Sequence, residues 1–222
     1  MENASRTTQR REESLSRERI IEASIELLDS NGEGGLTFRT LSERLATGAG
    51  AIYWHIANKS DLLTAACDSI IARTVDACST DGLPEESIRA LALGIFDTFE
   101  AHPWVGSVLT AAPGRLPIVR IVEGLGRQLD VLGVPGKEQW ATVSALLNYI
   151  LGVAGQNAAN SLLAKQVGAD RSGFLDAVAT AWSQLDEGGY PFVRGIAEQL
   201  RTHDDRVDFL AGIDIILRGI RR

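Results

Sequence analysis

Apolar residues in this chain recur at intervals of three and four, and nowhere in sustained alternation with polar ones. A chain without period-two segments has no half-buried sheet to offer, so it must bury helical stripes against one another. After Ser16, a candidate N-cap, Ile20, Ile21, Ser24, Leu27 and Leu28 trace an amphipathic helix that Asn31-Gly32 and Gly34-Gly35 end. Thr37 opens a short second helix with Leu41 and Leu45 facing inward, and Thr47 is placed to cap a third from about Gly48 to Ile56. Asn58-Lys59-Ser60-Asp61 breaks the chain and starts a fourth helix, which leads to about Cys78. Asp81-Gly82-Leu83-Pro84 reads as a turn and a seam. Beyond it the spacing predicts helices over Pro84 to Ala101, Trp104 to Ala111, Leu116 to Leu132, Lys137 to Val167, Phe174 to Leu185 and Tyr190 to Arg201. A last one runs from Asp204-Asp205 to about Ile220.

Totals narrow the setting. With 222 residues and 45% apolar content the chain can bury a substantial core. No apolar run approaches the roughly eighteen residues a membrane span needs. The N-terminus, MENASRTTQRREESLSRER, has no apolar segment of a secretory signal, so a cytoplasmic protein is expected. Cys67 and Cys78 read as buried thiols kept reduced. The net charge of −7 argues against a nucleic-acid partner, but it is unevenly spread. Residues 1–60 carry eight Arg/Lys against nine Asp/Glu, and the remainder fourteen against twenty. The acidity sits at the back, which leaves the front free to face phosphates.

Three helices in about forty residues, with a tight connection between the second and third, form a helix-turn-helix pattern. Such a unit lays its last helix in the major groove and reads bases from that helix's N-terminal end. In Ala46 to Ile56, ATGAGAIYWHI, five residues with almost no side chain precede Tyr53, Trp54 and His55. The bare start lets backbone approach DNA closely, and its N–H groups attract phosphate. Taken singly, Tyr53 and Trp54 read as core aromatics, and His55 and Lys59 as solvated polar groups. Only their joint spacing turns the set toward DNA.

That joint pattern is Ile20-Ile21-x-x-Ser24, then Gly35-Leu36-Thr37-x-Arg39-x-Leu41-x-x-Arg44-Leu45, then Ile52-Tyr53-Trp54-His55-Ile56-x-Asn58-Lys59-x-x-Leu62-Leu63. It resembles the DNA-binding domain of the tetracycline-repressor (TetR) family over residues 17–64, and Tyr-Trp-His followed by Asn-Lys is similar to the tetracycline repressors themselves. The resemblance implies backbone and base contacts at Thr37 and Arg39, phosphate and groove contacts at Tyr53 and His55, and a phosphate contact at Lys59. It places Trp54 beside the DNA backbone and brings the start of the third helix, Thr47, Gly48, Ala49 and Gly50, to the DNA. Where the tetracycline repressors carry Gln-Pro-Thr this chain has Ala49-Gly50-Ala51. Alanine offers only a methyl to thymine, so readout is expected to lean on Arg39, apolar contact and DNA shape. Arg6, Arg10 and Arg11 fit either an arm reaching DNA or a plain solvated tail.

The expected fold is all-α: a flexible arm over 1–15, a helix-turn-helix domain over 16–62, and a C-terminal helical domain over 63–222 for effector binding and dimerisation. His102-Pro103-Trp104, Leu147-Asn148-Tyr149 and Asp205-Arg206-x-Asp208-Phe209 through Gly219 resemble the tetracycline-repressor C-terminal domain more loosely. The wide apolar arcs of the last helix (Phe209, Ile213, Ile216, Ile220) and of the long helix (Ile150, thinned by Gly155 and Ala159) predict an interface between two copies. A two-fold homodimer fits a palindromic double-stranded operator. Candidate effector-lining residues are Phe96, Phe99, Trp104, Leu109, Trp140, Val143 and Leu147, with His102, Asn148, Gln156 and Asn157 as polar groups.

The magnesium-ligating histidine of the tetracycline repressors falls at Val108, six residues after His102, so the expected effector is a small organic molecule without a metal. No cofactor is expected. No catalytic triad spacing, phosphate loop or paired carboxylates support an enzyme. The sequence thus predicts a ligand-responsive repressor, with a constitutive DNA-binding regulator as the alternative.

Overall fold

A computed structural model describes residues 15–78, 82–111, 114–166, 168 and 170–220. The expected arm, with Arg6, Arg10 and Arg11, lies outside them apart from Leu15. The described residues form α1 Arg17–Gly35, α2 Phe38–Arg44, α3 Ala49–Tyr53, α4 Lys59–Ala77, α5 Pro84–Ala101, α6 Val105–Ala111, α7 Leu116–Val131, α8 Gly136–Gln166, α9 Arg171–Ser183, α10 Pro191–Ile196, a 3₁₀ segment Ala197–Thr202, and α11 Asp205–Ile220. No strand occurs among them. No single helix is long and apolar enough to cross a membrane.

Two compact units result. One comprises Met1–Asp76 with Trp104–Ile121, the other Ala77–Pro103 with Val122–Arg222. These units do not divide the chain between residues 62 and 63, where the sequence placed the domain boundary. All of α4 but its last residue belongs to the front unit, and the chain returns to that unit at Trp104. Trp104 Nε1 donates to Asp29 Oδ1 on α1 at 2.8 Å, and Arg120 grips Asp68 on α4 through Nε at 2.6 Å and a second nitrogen at 3.2 Å.

In the front unit Ser16 caps α1, accepting from the Arg19 amide. The expected stop at Asn31-Gly32 marks a real break: Gly32 has φ 64° and ψ −174°, and one more turn follows it. Thr37 and Thr40 bond reciprocally to each other's amides at 3.0 Å, a capping box with threonine in place of the usual Glu or Gln. Ile20, Leu28, Leu36, Leu41, Ile52 and Leu62 are buried together as the core. α3 is shorter than the Gly48–Ile56 expected, and its N-cap is Gly48, with no side-chain cap bond. The Thr47 amide instead donates to the Ser42 carbonyl at the end of α2, so Thr47 belongs to the turn and not to the cap.

In the second unit α5, α8 and α11 share a core. The Phe96 and Phe209 rings lie 4.9 Å apart, and Tyr149 stacks on Phe209 at 5.6 Å while donating its hydroxyl to the Phe209 carbonyl. Arg89 on α5 pairs with Asp214 on α11 at 2.7 Å, and Asn157 on α8 donates to Glu100 on α5 at 2.9 Å. Gly212 permits the Tyr149 contact: a Cβ there would lie 1.9 Å from the hydroxyl oxygen and 2.2 Å from the ring carbon Cζ. Gly212→Ala should therefore lower the unfolding free energy by about 1–3 kcal/mol, the usual cost of overpacking, measurable by urea denaturation.

Both cysteines are free, Cys67 buried and Cys78 half-buried. Burial, helped by Asp68, pushes the Cys67 thiol up to about 12. At pH 8 only about one Cys67 in ten thousand is then a thiolate. Cys67 should resist iodoacetamide in the native protein and react on unfolding, as peptide mass spectrometry would show.

Candidate functional site

The surface that the sequence pattern assigns to DNA is held from beneath. Ile52 is fully buried and Ile56 nearly so. Tyr53 stacks on Phe38 of α2, with centroids 4.4 Å apart and planes within 9°. The tyrosine nevertheless keeps 54% of its surface exposed, and Trp54 beside it keeps 89%. His55, Gly48, Ala49 and Gly50 are exposed, and Thr47 is half-buried. The core-aromatic reading of Trp54 is thereby excluded. An indole this bare gains nothing from the fold of its own chain.

Neighbouring groups are partly engaged. Thr37 spends its hydroxyl on the capping box. Arg39 reaches one turn along α2 to Glu43 at 3.0 Å, with its side chain 87% exposed. Lys59 is half-buried and donates to the Glu33 carbonyl near the end of α1 at 2.5 Å, so it joins two helices as well as facing outward. Glu18, at the start of α1, is held below the usual carboxylate range, first by its helix-end backbone bond and then by the Ser16 hydroxyl. The connection between α2 and α3 turns on Ala46, the one non-glycine residue with positive φ (50°) among those described. Two arginines brace α4: Arg115 donates to Thr64 at 2.6 Å and Ser60 at 3.3 Å, and Arg120 pairs with Asp68. That pair holds the Arg120 proton above its ordinary value.

The second unit contains a half-open cleft of about 450 Å³. Tyr149, Val153, Gln156, Asn157 and Asn160 of α8 form one wall, and Arg171, Phe174, Leu175, Val178 and Trp182 of α9 the other. Leu200, His203, Asp205, Asp208 and Phe209 close it. Of the residues expected to line an effector site, Gln156 and Asn157 do so. Phe96, Phe99 and Val143 are buried in the core, and the His102 amide ends α5. Trp104 and Leu109 belong to the front unit, and Trp140 is 74% exposed. Leu147 is half-buried and Asn148 exposed, and neither lines the cleft. The missed wall had a signal: Arg171, Phe174, Leu175, Val178 and Trp182 recur at three and four. The helical pattern alone left open which neighbour that stripe would meet.

Expected dimer contacts need the same correction. Ile150, Phe209 and Ile213 are fully buried within their own chain, so they cannot meet a partner. Gly155 lies against the Phe99 ring. Ile216 and Ile220 are half-buried, and only Ala159 of the expected set is exposed. The open apolar face of α11 is Val207, Ala211 and Ile215, roughly opposite Phe209, Ile213 and Leu217. Among the described residues no cluster of three or more His, Cys, Asp or Glu could hold a metal ion.

A helix-turn-helix with an uncovered reading end, joined to a helical unit with a cleft, defines a DNA-binding regulator. Residues 20–66 match the family described as bacterial regulatory proteins, tetR family, and residues 80–222 match the tetracyclin repressor-like C-terminal domain. The chain belongs to the TetR family and is a transcriptional regulator, not an enzyme. The transcriptional regulator SCO7222, a TetR from Streptomyces coelicolor, is 52% identical and superimposes with a TM-score of 0.85, over 93% of this chain and 98% of that one. The HTH-type transcriptional repressor DrrR1 of Streptomyces coeruleorubidus is 26% identical over 93% of this chain and 77% of its own length. The class D tetracycline repressor of Escherichia coli is 44% identical over 62 residues, 28% of each chain.

Ala46 carries a Cβ where the left-handed region favours glycine. Ala46→Gly should raise the unfolding free energy by about 1 kcal/mol, seen as a higher urea midpoint with an unchanged slope.

Proposed function

We propose that the protein is a repressor that binds a palindromic operator as a homodimer and leaves it when a small organic effector occupies the C-terminal unit. The observation that carries the DNA reading is the uncovered end of α3: exposed Gly48, Ala49 and Gly50, then exposed Tyr53, Trp54 and His55 over a buried Ile52. Tyr53, His55 and Lys59 serve as phosphate and groove contacts, with Trp54 beside the sugar–phosphate backbone and Thr37 facing that backbone from the start of α2. Lys59 keeps N–H bonds to spare after Glu33 takes one. Arg39 is the base reader. Its exposed helix pair with Glu43 is worth only about 0.3–0.5 kcal/mol, whereas bidentate readout of guanine is worth about 1–3 kcal/mol, so the exchange favours DNA.

Repression is supported by the names of two relatives, the DrrR1 repressor and the tetracycline repressor. An effector is supported by the cleft, since a packed unit would fit a constitutive regulator better. The dimer face we assign is the exposed Val207, Ala211 and Ile215 of α11 with Gly152 and Ala159 of α8. Half-sites about 34–36 Å apart then suit the two reading heads. Release is a population shift: effector favours an arrangement whose heads no longer match adjacent grooves, and α4, braced by Arg115 and Arg120, carries the movement.

Selection of operator DNA from random sequence, followed by anisotropy titration in a salt series, tests the reading. Lys59→Ala should weaken binding to all sequences alike and lower the salt slope by about 0.9, the value of one neutralised phosphate, whereas Tyr53→Phe should weaken binding alike and leave the slope unchanged. Arg39→Ala should flatten preference at a guanine position by about 1–3 kcal/mol. An Arg39→Ala protein that selects the same operator would remove Arg39 from base reading. Failure to select any sequence would refute the DNA function itself.

A further inference from the structure

The Arg39–Glu43 pair is built against the stability of its own helix. Arg39 stands in the first turn of α2 and Glu43 in the last. The partial charges at helix ends favour the reverse order, and an i, i+4 pair is stronger with its acid on the N-terminal side. Both side chains are exposed, so the pair adds little to the fold. Arg44, by contrast, leaves α2 for Glu26 of α1 and ties two helices together. What the first pair does fix is an orientation. Glu43 Oε1 takes the Nε–H of Arg39 at 3.0 Å, and among the described residues it is the one hydrogen-bond partner of that guanidinium. The two terminal Nη groups, which form the end-on fork of the arginine, remain for another acceptor.

That fork matches O6 and N7 of guanine. Guanine wins the guanidinium in energy, yet reading it does not require the pair to break. Glu43 is itself held: its carbonyl accepts the Ala46 amide at 3.3 Å, at the left-handed residue of the turn to α3. The turn that sets α3 therefore also anchors the group that aims Arg39. We infer that Glu43 is a positioning residue for operator selection. It holds Arg39 with its fork toward the base edges, and its negative charge opposes the phosphates that an unheld arginine would take instead. The first effect strengthens guanine readout and the second weakens binding to every sequence, so both widen the gap between operator and other DNA. The role rests on the reading of Arg39 as a base contact.

The test titrates full-length variants with the selected operator, with single-base replacements of it and with unrelated duplex DNA. Arg39→Ala first locates the guanine that Arg39 reads. Glu43→Ala should reduce preference for that guanine about fivefold, part of the rotamer freedom that an unheld arginine loses on reading. It should also tighten binding to unrelated DNA about twofold at low salt, the worth of one charge about 10 Å from another in water. Glu43→Gln, whose amide oxygen still accepts from Nε, should recover the guanine preference and keep the tighter binding to unrelated DNA. In the Arg39→Ala background, Glu43→Ala should leave base preference as it is. The urea midpoint of Glu43→Ala should hold or rise, because alanine favours the helix and the misplaced anion is gone. If Glu43→Ala does not fold by circular dichroism, Glu43→Asp, one bond too short to reach Nε, replaces it for the guanine measurement. An unchanged guanine preference in Glu43→Ala overturns the inference, as does weaker binding to all DNA alike with a lower urea midpoint. Lost preference at a cytosine that persists in the Arg39→Ala background gives Glu43 a base contact of its own and overturns the positioning role. An Arg39→Ala protein with unaltered base preference refutes the reading of Arg39 itself; altered preference there with none in Glu43→Ala refutes only the role of Glu43.

Discussion

A helix of five residues cannot stand alone in water, and the proposed reading head of this protein rests on one. Fixing each backbone residue of α3 costs about 1–2 kcal/mol, while burying Ile52 returns only about 1.5–3 kcal/mol. The difference comes from what surrounds it: Ile56 buried at its end, Tyr53 stacked on Phe38, and a turn that holds Ala46 in the left-handed region to set the angle between α2 and α3. Because α3 is held from one side, its other side needs no side chains for stability. Gly48, Ala49 and Gly50 can therefore be small, and Trp54 can be left bare.

The second unit solves a different problem. Its core joins α5, α8 and α11 through Phe96, Tyr149 and Phe209, and the close approach is possible because residue 212 is a glycine. α9 meets α8 less closely, and the gap between them is the cleft. The ion cluster of Arg171, His203, Asp205 and Asp208 closes this gap with groups that satisfy one another.

Much of the front unit was legible because its signals are local. Ser16 and Thr37 cap helices through their own neighbours, and Gly32 breaks one through its own φ. The Thr47 cap was misread for a tertiary reason. The amide of Thr47 closes onto Ser42, which shifts the N-cap to Gly48 and the helix start to Ala49. In the second unit the element positions were legible and the partnerships were not. Ile150, Phe209 and Ile213 carry the same periodicity whether they face their own core or another copy. Trp104 and Leu109 look like pocket residues until the chain is seen to return to the front unit.

The sequence by itself determined the helices, the family and the helix-turn-helix, because three-and-four spacing, caps and a dense local motif are all written within a few residues. Only the tertiary structure decided which apolar stripe faces inward, where the cleft opens and which charges are spent on one another. Those outcomes depend on contacts between residues such as Tyr149 and Gly212, or Arg171 and Asp205, that lie far apart along the chain and meet only when the helices pack.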